Sequence, residues 1–403
     1  MAVTGRIAAS RPTPRVLARS GDEYLVAGVV HCHTTFSDGQ HRPENLVALA
    51  HEKGLGVVVI TDHHFESWRY RFGIRVNRRS VLDHGTKAYL DAIHAAALQT
   101  PGPIVCPGIE VVPQYRWAGI PPFLRCLVAK TAVIYGIEDA GILDQLPVRL
   151  DGKGRSEAES TQIAQSLIDY VGDHGGLFYW SHLETAEKTS FLTASLQYRP
   201  NPELLQNTRR YTGFGCFPGG TGVSTEAGGY WDQRLGEAVA AGTRNGPWVL
   251  GEADFHRGDS DEPYQNICNP TTVFSLSDLN APAVTDALAH GRMYAYRGRH
   301  FDQSLLEVYS ITFPNGGAVA KSGQTLRGRG TPWLQIRVSG FQGSCVIRVV
   351  CDGRLLYECS GRELEVRLPA PDRTGYACRA EIVSPAGERI MTNPIFVLGA
   401  EDF

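Results

Sequence analysis

The chain has 403 residues, 42% of them hydrophobic and 20% charged, and a formal net charge of -3 at pH 7. This is the composition of a globular protein that is long enough for two domains. The small negative charge gives no general attraction to nucleic acid or to an anionic membrane, so we expect neither as a partner. No apolar run reaches the length that a bilayer requires, and Met1 to Arg19 lacks the continuous apolar segment of a secretory signal. We therefore expect a cytoplasmic protein, and nine cysteines without the spacing of a small disulfide scaffold fit the same reducing compartment.

The first predicted strand leads into a short run of metal-binding residue types. Tyr24 to Val30 is apolar enough for a buried strand, and His31 and His33 follow it directly. Alternate side chains of a strand point the same way, so both imidazoles are expected to project toward one point. Asp38 follows in a turn marked by Ser and Gly and could add a carboxylate oxygen there. The segment therefore predicts half of a metal site.

Helical patterns then alternate with apolar runs, which favours βα units and a largely parallel sheet. The predicted helices are Pro43–Lys53, Lys87–Leu98, Ala158–Val171, Asp232–Ala241 and Ala283–His290. The apolar runs between them end in His, Asp or Glu: Val57–Ile60 before His63, Ile104–Ile109 before Glu110, Leu177–Trp180 before His182, and Trp248–Leu250 before Asp254 and His256. In α/β folds catalytic groups and ligands gather at such strand ends.

Two loop segments near these strand ends are candidates for substrate contacts. An arginine-rich stretch follows the second strand, and arginine forks match phosphate or carboxylate geometry. Its candidate substrate-binding residues are Arg69, Arg71, Arg75, Arg78 and Arg79, although the chain uses arginine far more often than lysine and these residues could equally be solvated. The glycine-rich segment Gly213 to Gly229 predicts a long loop, with Tyr211 and Tyr230 as possible substrate contacts.

After residue 299 the pattern changes to short alternating strands separated by Gly, Pro and Asp turns. The predicted strands are Trp333–Val338, Cys345–Val350, Leu364–Leu368 and Ala377–Ile382. They indicate a small antiparallel β-sandwich over residues 300–403, with a hairpin turn at Asp352-Gly353. It carries no catalytic constellation, so we expect it to pack against the first domain, support a loop or form the contact of a homo-oligomer.

The order and spacing of the candidate ligands resemble the PHP superfamily, the polymerase and histidinol phosphatase metallohydrolases. The resemblance runs from about Val26 to Tyr296 and rests on His31-Cys32-His33, Asp38, Thr61-Asp62-His63, Gly108-Ile109-Glu110, His182 and Asp254-Phe255-His256. It implies an α/β fold, a distorted (β/α)7 barrel of the PHP type at residues 21–299, behind a flexible tail at residues 1–20 and before the β-sandwich.

The same resemblance implies two divalent ions at the strand ends. His31, His33, Glu110 and Asp254 would hold one ion, and Asp38, His63 and His256 the second, with Glu110 bridging to a neighbouring ion. Many family members place another histidine on the strand after the glutamate, but Thr131 to Ile137 contains none. A third site is therefore expected to be weak or absent, and His182 is either a metal ligand or a proton donor or substrate contact.

Imidazole and carboxylate donors suit Zn, Mn or Fe, and paired ions supply a metal-activated hydroxide. The expected protein is thus a metal-dependent hydrolase of a small molecule, with Asp254 and His182 as catalytic residues. A phosphoester is the first choice of substrate. The alternative is a carbamate, amide or ester, as in the branch that resembles carbaryl hydrolase, several members of which carry a C-terminal β domain. A non-catalytic metal-binding module is the second alternative.

Overall fold

The computed structural model of the chain describes residues 14–65, 68–69, 75–76, 79–99, 102–113, 115–120, 123–128, 130–148, 157–191, 194–217, 222–243, 246–258, 265–314, 317–341 and 343–400. The helices in these ranges are α1 Pro43–Glu52, α2 Val81–His84, α3 Thr86–Gln99, α4 Ala140–Leu143, α5 Glu157–Asp173, α6 Leu204–Asn207, α7 Gly222–Thr225, α8 Tyr230–Ala240 and α9 Ala281–His290. The five helices predicted from periodicity are confirmed as α1, α3, α5, α8 and α9.

The strands fall into two sets, separated by residues 298–304. The first set is β1 Ala18–Ser20, β2 Glu23–Cys32, β3 Val57–Ile60, β4 Trp68–Arg69, β5 Arg75–Val76, β6 Ile104–Val111, β7 Tyr115–Ile120, β8 Phe123–Val128, β9 Ala132–Tyr135, β10 Leu177–Trp180, β11 Glu187–Phe191, β12 Ala194–Tyr198, β13 Gly213–Cys216, β14 Trp248–Phe255, β15 Thr271–Leu276 and β16 Met293–Arg297. The second set is β17 Leu305–Thr312, β18 Val319–Ala320, β19 Thr325–Gly328, β20 Trp333–Ser339, β21 Cys345–Cys351, β22 Arg354–Gly361, β23 Glu363–Arg367, β24 Tyr376–Val383, β25 Arg389–Thr392 and β26 Ile395–Gly399.

Seven strands close into a barrel, which confirms the predicted fold class. Their order is β2, β3, β6, β9, β10, β13 and β14, and β14 pairs with β2 to complete the ring. Every pair in the ring is parallel except the two that involve β9, which runs antiparallel to β6 and to β10. The reversed strand begins at the end of the barrel where its neighbours finish. Residues just before β9 therefore lie at the same end as the predicted ligands.

The long strand β2 belongs to two sheets at once. Its second half closes the barrel, whereas its first half pairs antiparallel with β15, from Tyr24 to Gly28. From β15 the sheet continues through β16, β25, β24, β21 and β22. A second sheet, in the order β18, β17, β20 and β23, completes the predicted sandwich. The two parts of the chain therefore share one continuous hydrogen-bonded sheet.

Three details differ from the sequence predictions or refine them. Ala18–Ser20 lies inside the segment predicted as a flexible tail, yet it forms β1 and pairs with Glu23–Leu25 of β2, while residues 1–13 lie outside the description. The predicted loop after residue 213 is wrong at its start, because β13 is a buried barrel strand. The Asp352-Gly353 turn is confirmed, since both residues have positive φ and join β21 to β22.

The glycines that suggested a loop instead allow close packing in the barrel. A Cβ atom at Gly213 would lie 2.2 Å from the backbone oxygen of Trp248 and 2.4 Å from the ring of Tyr179. A Cβ atom at Gly215 would lie 2.0 Å from Oε2 of Glu252. Glycine is required at both positions because no side chain fits. Contacts with neighbouring strands therefore explain these glycines, and they do not indicate a loop.

Candidate metal centre

The ends of five barrel strands bring the predicted ligands together at one end of the barrel. Three of these residues have positive φ angles that L-residues rarely adopt: 69° at His31, 53° at His182 and 48° at Asp254. Such backbone conformations persist where the surrounding structure holds them, and they cluster at functional sites. The backbone at these three residues therefore adopts unfavourable conformations that place their side chains at the centre.

A first group is formed by His31, His33, Glu110 and Asp254. The Nε2 atoms of the two histidines are 3.0 Å apart. Oδ1 of Asp254 lies 3.3 Å from Nε2 of His31 and 3.2 Å from Nε2 of His33, and Oε2 of Glu110 lies 3.5 Å from each. Ligand atoms at the corners of a tetrahedron around Zn²⁺ are about 3.3 Å apart, given bonds of about 2.0 Å. The four side chains therefore fit one divalent ion.

A second group adjoins the first and consists of His33, Asp38, His63 and His256. Oδ1 of Asp38 is close to all three imidazoles. It lies 3.3 Å from Nε2 of His63, 3.2 Å from Nε2 of His256 and 3.7 Å from Nδ1 of His33. Thus the structure places the ligands predicted for the second ion around one point, with His33 between the two groups.

Hydrogen bonds hold two of these histidines with Nε2 toward the groups. Nδ1 of His33 is 3.2 Å from Oγ of Ser37, and Nδ1 of His256 is 2.8 Å from the backbone oxygen of Asp254. In His256 an N–H at Nδ1 donates to this backbone oxygen and leaves the lone pair of Nε2 free to bind a cation. The outer partners therefore favour the tautomer that metal binding needs.

The charges of the groups depend on one another because the site is buried. Burial opposes the charged form of His63, but the carboxylates of Glu110 and Asp38 raise its pKa to about 10. Burial and the neighbouring imidazoles of His256 and His63 lower the pKa of His33 to about 3. Burial also opposes the charge of Asp38, yet His63 and His256 hold its pKa below the ordinary value. Positive charge is thus required next to these carboxylates, as a proton or as a metal ion.

Two buried atoms between the groups are left without hydrogen bonds of suitable geometry among the described residues. Nδ1 of His63 and Oε2 of Glu110 are 2.7 Å apart, yet in the described part of the chain neither atom has a hydrogen-bond partner with suitable geometry. Buried polar atoms are seldom left in this state, because it costs desolvation energy without a compensating bond. Imidazole and carboxylate donors are those that Zn, Mn and Fe bind, so the residues present fit such ions.

The centre opens to solvent on one side. His31 and His33 are fully buried, and the side chains of Glu110 and His63 are only 3% and 7% exposed. The side chains that reach solvent are those of Asp38, His256, Asp254 and His182, which are 35%, 23%, 16% and 14% exposed. Nε2 of His182 lies 3.4 Å from Oδ2 of Asp254. A substrate would therefore approach past these four residues.

Three buried charged residues that the sequence reasoning did not select support the centre. Asp62 accepts hydrogen bonds from the backbone N–H and hydroxyl of Thr34 and from the hydroxyl of Ser37, which fixes the turn after His33. Lys130 is fully buried and donates to the backbone oxygen of His182. Glu252 is the third, and it contacts His31. Its position two residues before Asp254, on the same face of β14, was a signal that could have found it.

The stretch that lacks the additional family histidine begins beside the centre. Lys130 and Thr131 stand immediately before the reversed strand β9, at the end of the barrel where the ligands lie. His182 is grouped instead with His31 and Glu252. In the described residues this third group offers two histidines and one carboxylate, and its His31 already belongs to the first group.

The candidate substrate residues are placed less completely. Arg71 and Arg78 lie outside the described residues, as do the side chains of Arg69 and Arg75. Arg79 is exposed and precedes Ser80, whose hydroxyl donates to the backbone oxygen of His63. Tyr211 is buried with its hydroxyl bonded to a backbone oxygen, and Tyr230 begins α8.

The first part of the chain matches the model of a known family. Residues 30–138 match the model of the PHP domain. This segment is similar to the PHP domain. The matched segment includes His31, His33, Asp38, His63 and Glu110, whereas His182, Asp254 and His256 follow it in the barrel. The predicted resemblance to the PHP superfamily is therefore confirmed over this segment, which supplies most of the residues of both groups.

Three solved structures have a weak overall likeness to the chain. One is a two-domain protein from Bacteroides vulgatus that contains a predicted PHP-like metal-dependent phosphoesterase, with 13% identity, coverage of 96% of this chain and 99% of that chain, and a TM-score of 0.40. Another is a proposed metal-dependent phosphoesterase from Bifidobacterium adolescentis, with 14% identity, coverage of 59% and 89%, and a TM-score of 0.32. An amidohydrolase from Chromobacterium violaceum, with bound sulfate and no metal, has 14% identity, coverage of 60% and 93%, and a TM-score of 0.31. No curated protein matches the chain.

Two general expectations bear on the rest of the molecule. The eight cysteines whose side chains the structure describes are free thiols, and Cys32 packs in the hydrophobic core. None of the helices in the described ranges combines the length and the apolar character that crossing a membrane requires.

Proposed function

We propose that this protein is a metal-dependent hydrolase of small molecules that uses two divalent ions. The observation that carries the proposal is the pair of adjoining groups, in which His33 and Glu110 approach the ligands of both. His31, His33, Glu110 and Asp254 would hold one ion, and Asp38, His63 and His256 the other. Bound there, two divalent cations lower the pKa of a water molecule and stabilise charge on the attacked group.

The side chains on the open side would handle the protons of the reaction. Oδ1 of Asp254 faces the two Nε2 atoms of the first group, and Oδ2 faces His182. Asp254 is therefore suited to orient the attacking water and to accept its proton through Oδ2. His182, with Nε2 beside that oxygen, would donate a proton to the leaving group. Its backbone is held by Lys130, which keeps the ring at the opening.

A phosphoester is the favoured substrate. Paired ions suit in-line displacement at phosphorus, because they stabilise both the attacking and the leaving oxygen. Arg79, which is exposed and next to Ser80 in the chain, would bind an anionic group of the substrate. The alternative is a carbamate, amide or ester. The absence of a histidine at the described start of β9 favours it, because the third ion that contacts phosphate in similar enzymes then lacks a ligand.

The test combines metal analysis with matched substrates. Protein purified without chelators should hold about two equivalents of a first-row metal, and His31→Ala should hold much less. Turnover is then compared for para-nitrophenyl phosphate, bis(para-nitrophenyl) phosphate, para-nitrophenyl acetate, a para-nitrophenyl carbamate and a para-nitroanilide. Cleavage of the phosphoesters alone supports the first choice, and cleavage of the carbonyl compounds alone supports the alternative. Metal-loaded protein that cleaves none of them would show a binding module instead.

A further inference from the structure

Glu252 is a fully buried carboxylate that contacts two of the histidines at the centre. It lies on β14, and its Oε1 is 2.6 Å from Nδ1 of His31. Its other oxygen accepts a hydrogen bond from the backbone N–H of His182 at 3.3 Å and lies 3.7 Å from Nδ1 of the same ring. One side chain thus joins the strand that carries the first ligands to the loop that carries His182.

The distance between Glu252 and His31 identifies the contact as a hydrogen bond. Two ligands of one ion are about 3 Å apart or more, because each is about 2 Å from the metal. At 2.6 Å the carboxylate and Nδ1 are too close for this and are at the distance of a charge-assisted hydrogen bond. Nδ1 of His31 must therefore carry the proton, and Nε2 is the atom that faces Asp254 and Glu110.

The barrel is built to accommodate this carboxylate. Gly215 on the adjacent strand β13 leaves the space, since a Cβ atom there would lie 2.0 Å from Oε2 of Glu252 and 2.8 Å from its Cβ. The strand pair therefore leaves room for a carboxylate where an apolar side chain would otherwise pack.

We propose that Glu252 is a positioning residue, which fixes His31 in the tautomer that presents Nε2 to the first metal group and holds the backbone of His182 beside it. The inference rests on the proposed function only in that the first group binds a metal. Carboxylates that orient metal-binding imidazoles in this way change metal affinity by about 10-fold to 100-fold.

The experiment measures Zn²⁺ affinity of the full chain by competition with a chromophoric chelator, and the absorption spectrum of the Co²⁺ form. In Glu252→Gln an amide replaces the carboxylate that accepts from Nδ1 of His31 and from the backbone N–H of His182. We therefore expect the affinity for one ion to fall about 10-fold to 100-fold and the Co²⁺ spectrum to change. Gly215→Ala should act in the same direction, because it displaces an intact Glu252. The matched control is Glu138→Gln, which alters an exposed glutamate at 2.8 Å from His94 and should bind both ions normally.

A second measurement needs no variant that could fail to fold. Ring ¹⁵N shifts of the Zn²⁺-loaded wild-type protein should show His31 protonated at Nδ1 and bound to metal through Nε2. The opposite assignment, or wild-type affinity and spectrum in both Glu252→Gln and Gly215→Ala, would overturn the proposal. Both readouts are independent of turnover, so a protein that binds Zn²⁺ as described but cleaves no substrate counts against the proposed reaction alone.

Discussion

Oε2 of Glu110 lies 2.7 Å from Nδ1 of His63, although the two residues belong to different candidate metal groups. The same oxygen is 3.5 Å from Nε2 of His31 in the first group. A carboxylate shared in this way makes occupancy of one group depend on the other, because its charge balances both cations.

The shared position predicts that Glu110→Gln lowers the content of both metals together. We expect total metal to fall from about two equivalents to well under one, since the amide removes the charge that faces both groups. Metal analysis of protein loaded and then gel-filtered measures this result. Asp38→Asn is the informative comparison, because it alters the second group alone. Loss of a single equivalent in Glu110→Gln would show that the carboxylate serves one ion.

Metal affinity should rise with pH. In the metal-free protein the carboxylates of Glu110 and Asp38 raise the pKa of His63 to about 10, so its ring is protonated near neutrality. A metal ion requires the neutral imidazole, and binding must release that proton. Affinity therefore increases as pH rises toward the pKa of His63, by about tenfold per pH unit for each proton released. Calorimetric titration with Zn²⁺ in buffers of different ionisation enthalpy counts the protons, and a binding constant that is flat between about pH 6 and pH 8 would contradict the assignment.

Replacement of His182 separates its two possible roles. If it donates a proton, His182→Gln lowers kcat by about 100-fold or more and leaves metal content and KM close to those of the wild type. If it is a ligand, metal content falls as well. Lys130→Met is a second variant, because the buried ammonium donates to the backbone oxygen of His182. It should lower kcat in the same way, whereas Lys87→Met, which removes an exposed partner of Asp91, should not.

Sequence patterns predicted the parts of the structure that are determined by residues close together in the chain. Apolar runs ending in His, Asp or Glu placed the ligands at strand ends. His31 and His33 converge as their i, i+2 spacing predicts, with Nε2 atoms 3.0 Å apart, but the positive φ of His31 was not predicted. Features that depend on distant contacts were missed. The glycines of β13 suggested a loop because their close neighbours, Tyr179 and Glu252, come from other strands.

The continuous sheet was missed for the same reason. Pairing of β16 with β25 joins Tyr294 to Thr392, a partner far along the chain that no local periodicity identifies. A buried ion pair adds to this junction. Arg379 of β24 makes two hydrogen bonds to the carboxylate of Asp232 in α8, at 2.6 and 2.8 Å, and the two side chains are 2% and 3% exposed.

Arg379 should therefore contribute strongly to stability and little to metal binding. Arg379→Met leaves the Asp232 carboxylate buried without its cation, which costs about 3–5 kcal/mol in the free energy of unfolding. The double variant with Asp232→Asn should recover part of this loss, because the uncompensated charge is gone. Denaturant unfolding of the metal-loaded protein measures both values. Arg348→Met, which breaks an exposed pair with Glu358, is the control and should cost less than about 1 kcal/mol.

Arg379 also donates to the backbone oxygen of Thr225, in the segment that follows β13. Since Thr225 belongs to neither metal group, a loss of metal from folded Arg379→Met would show that the sandwich acts on the centre itself, whereas unchanged metal content would limit its role to support of the fold.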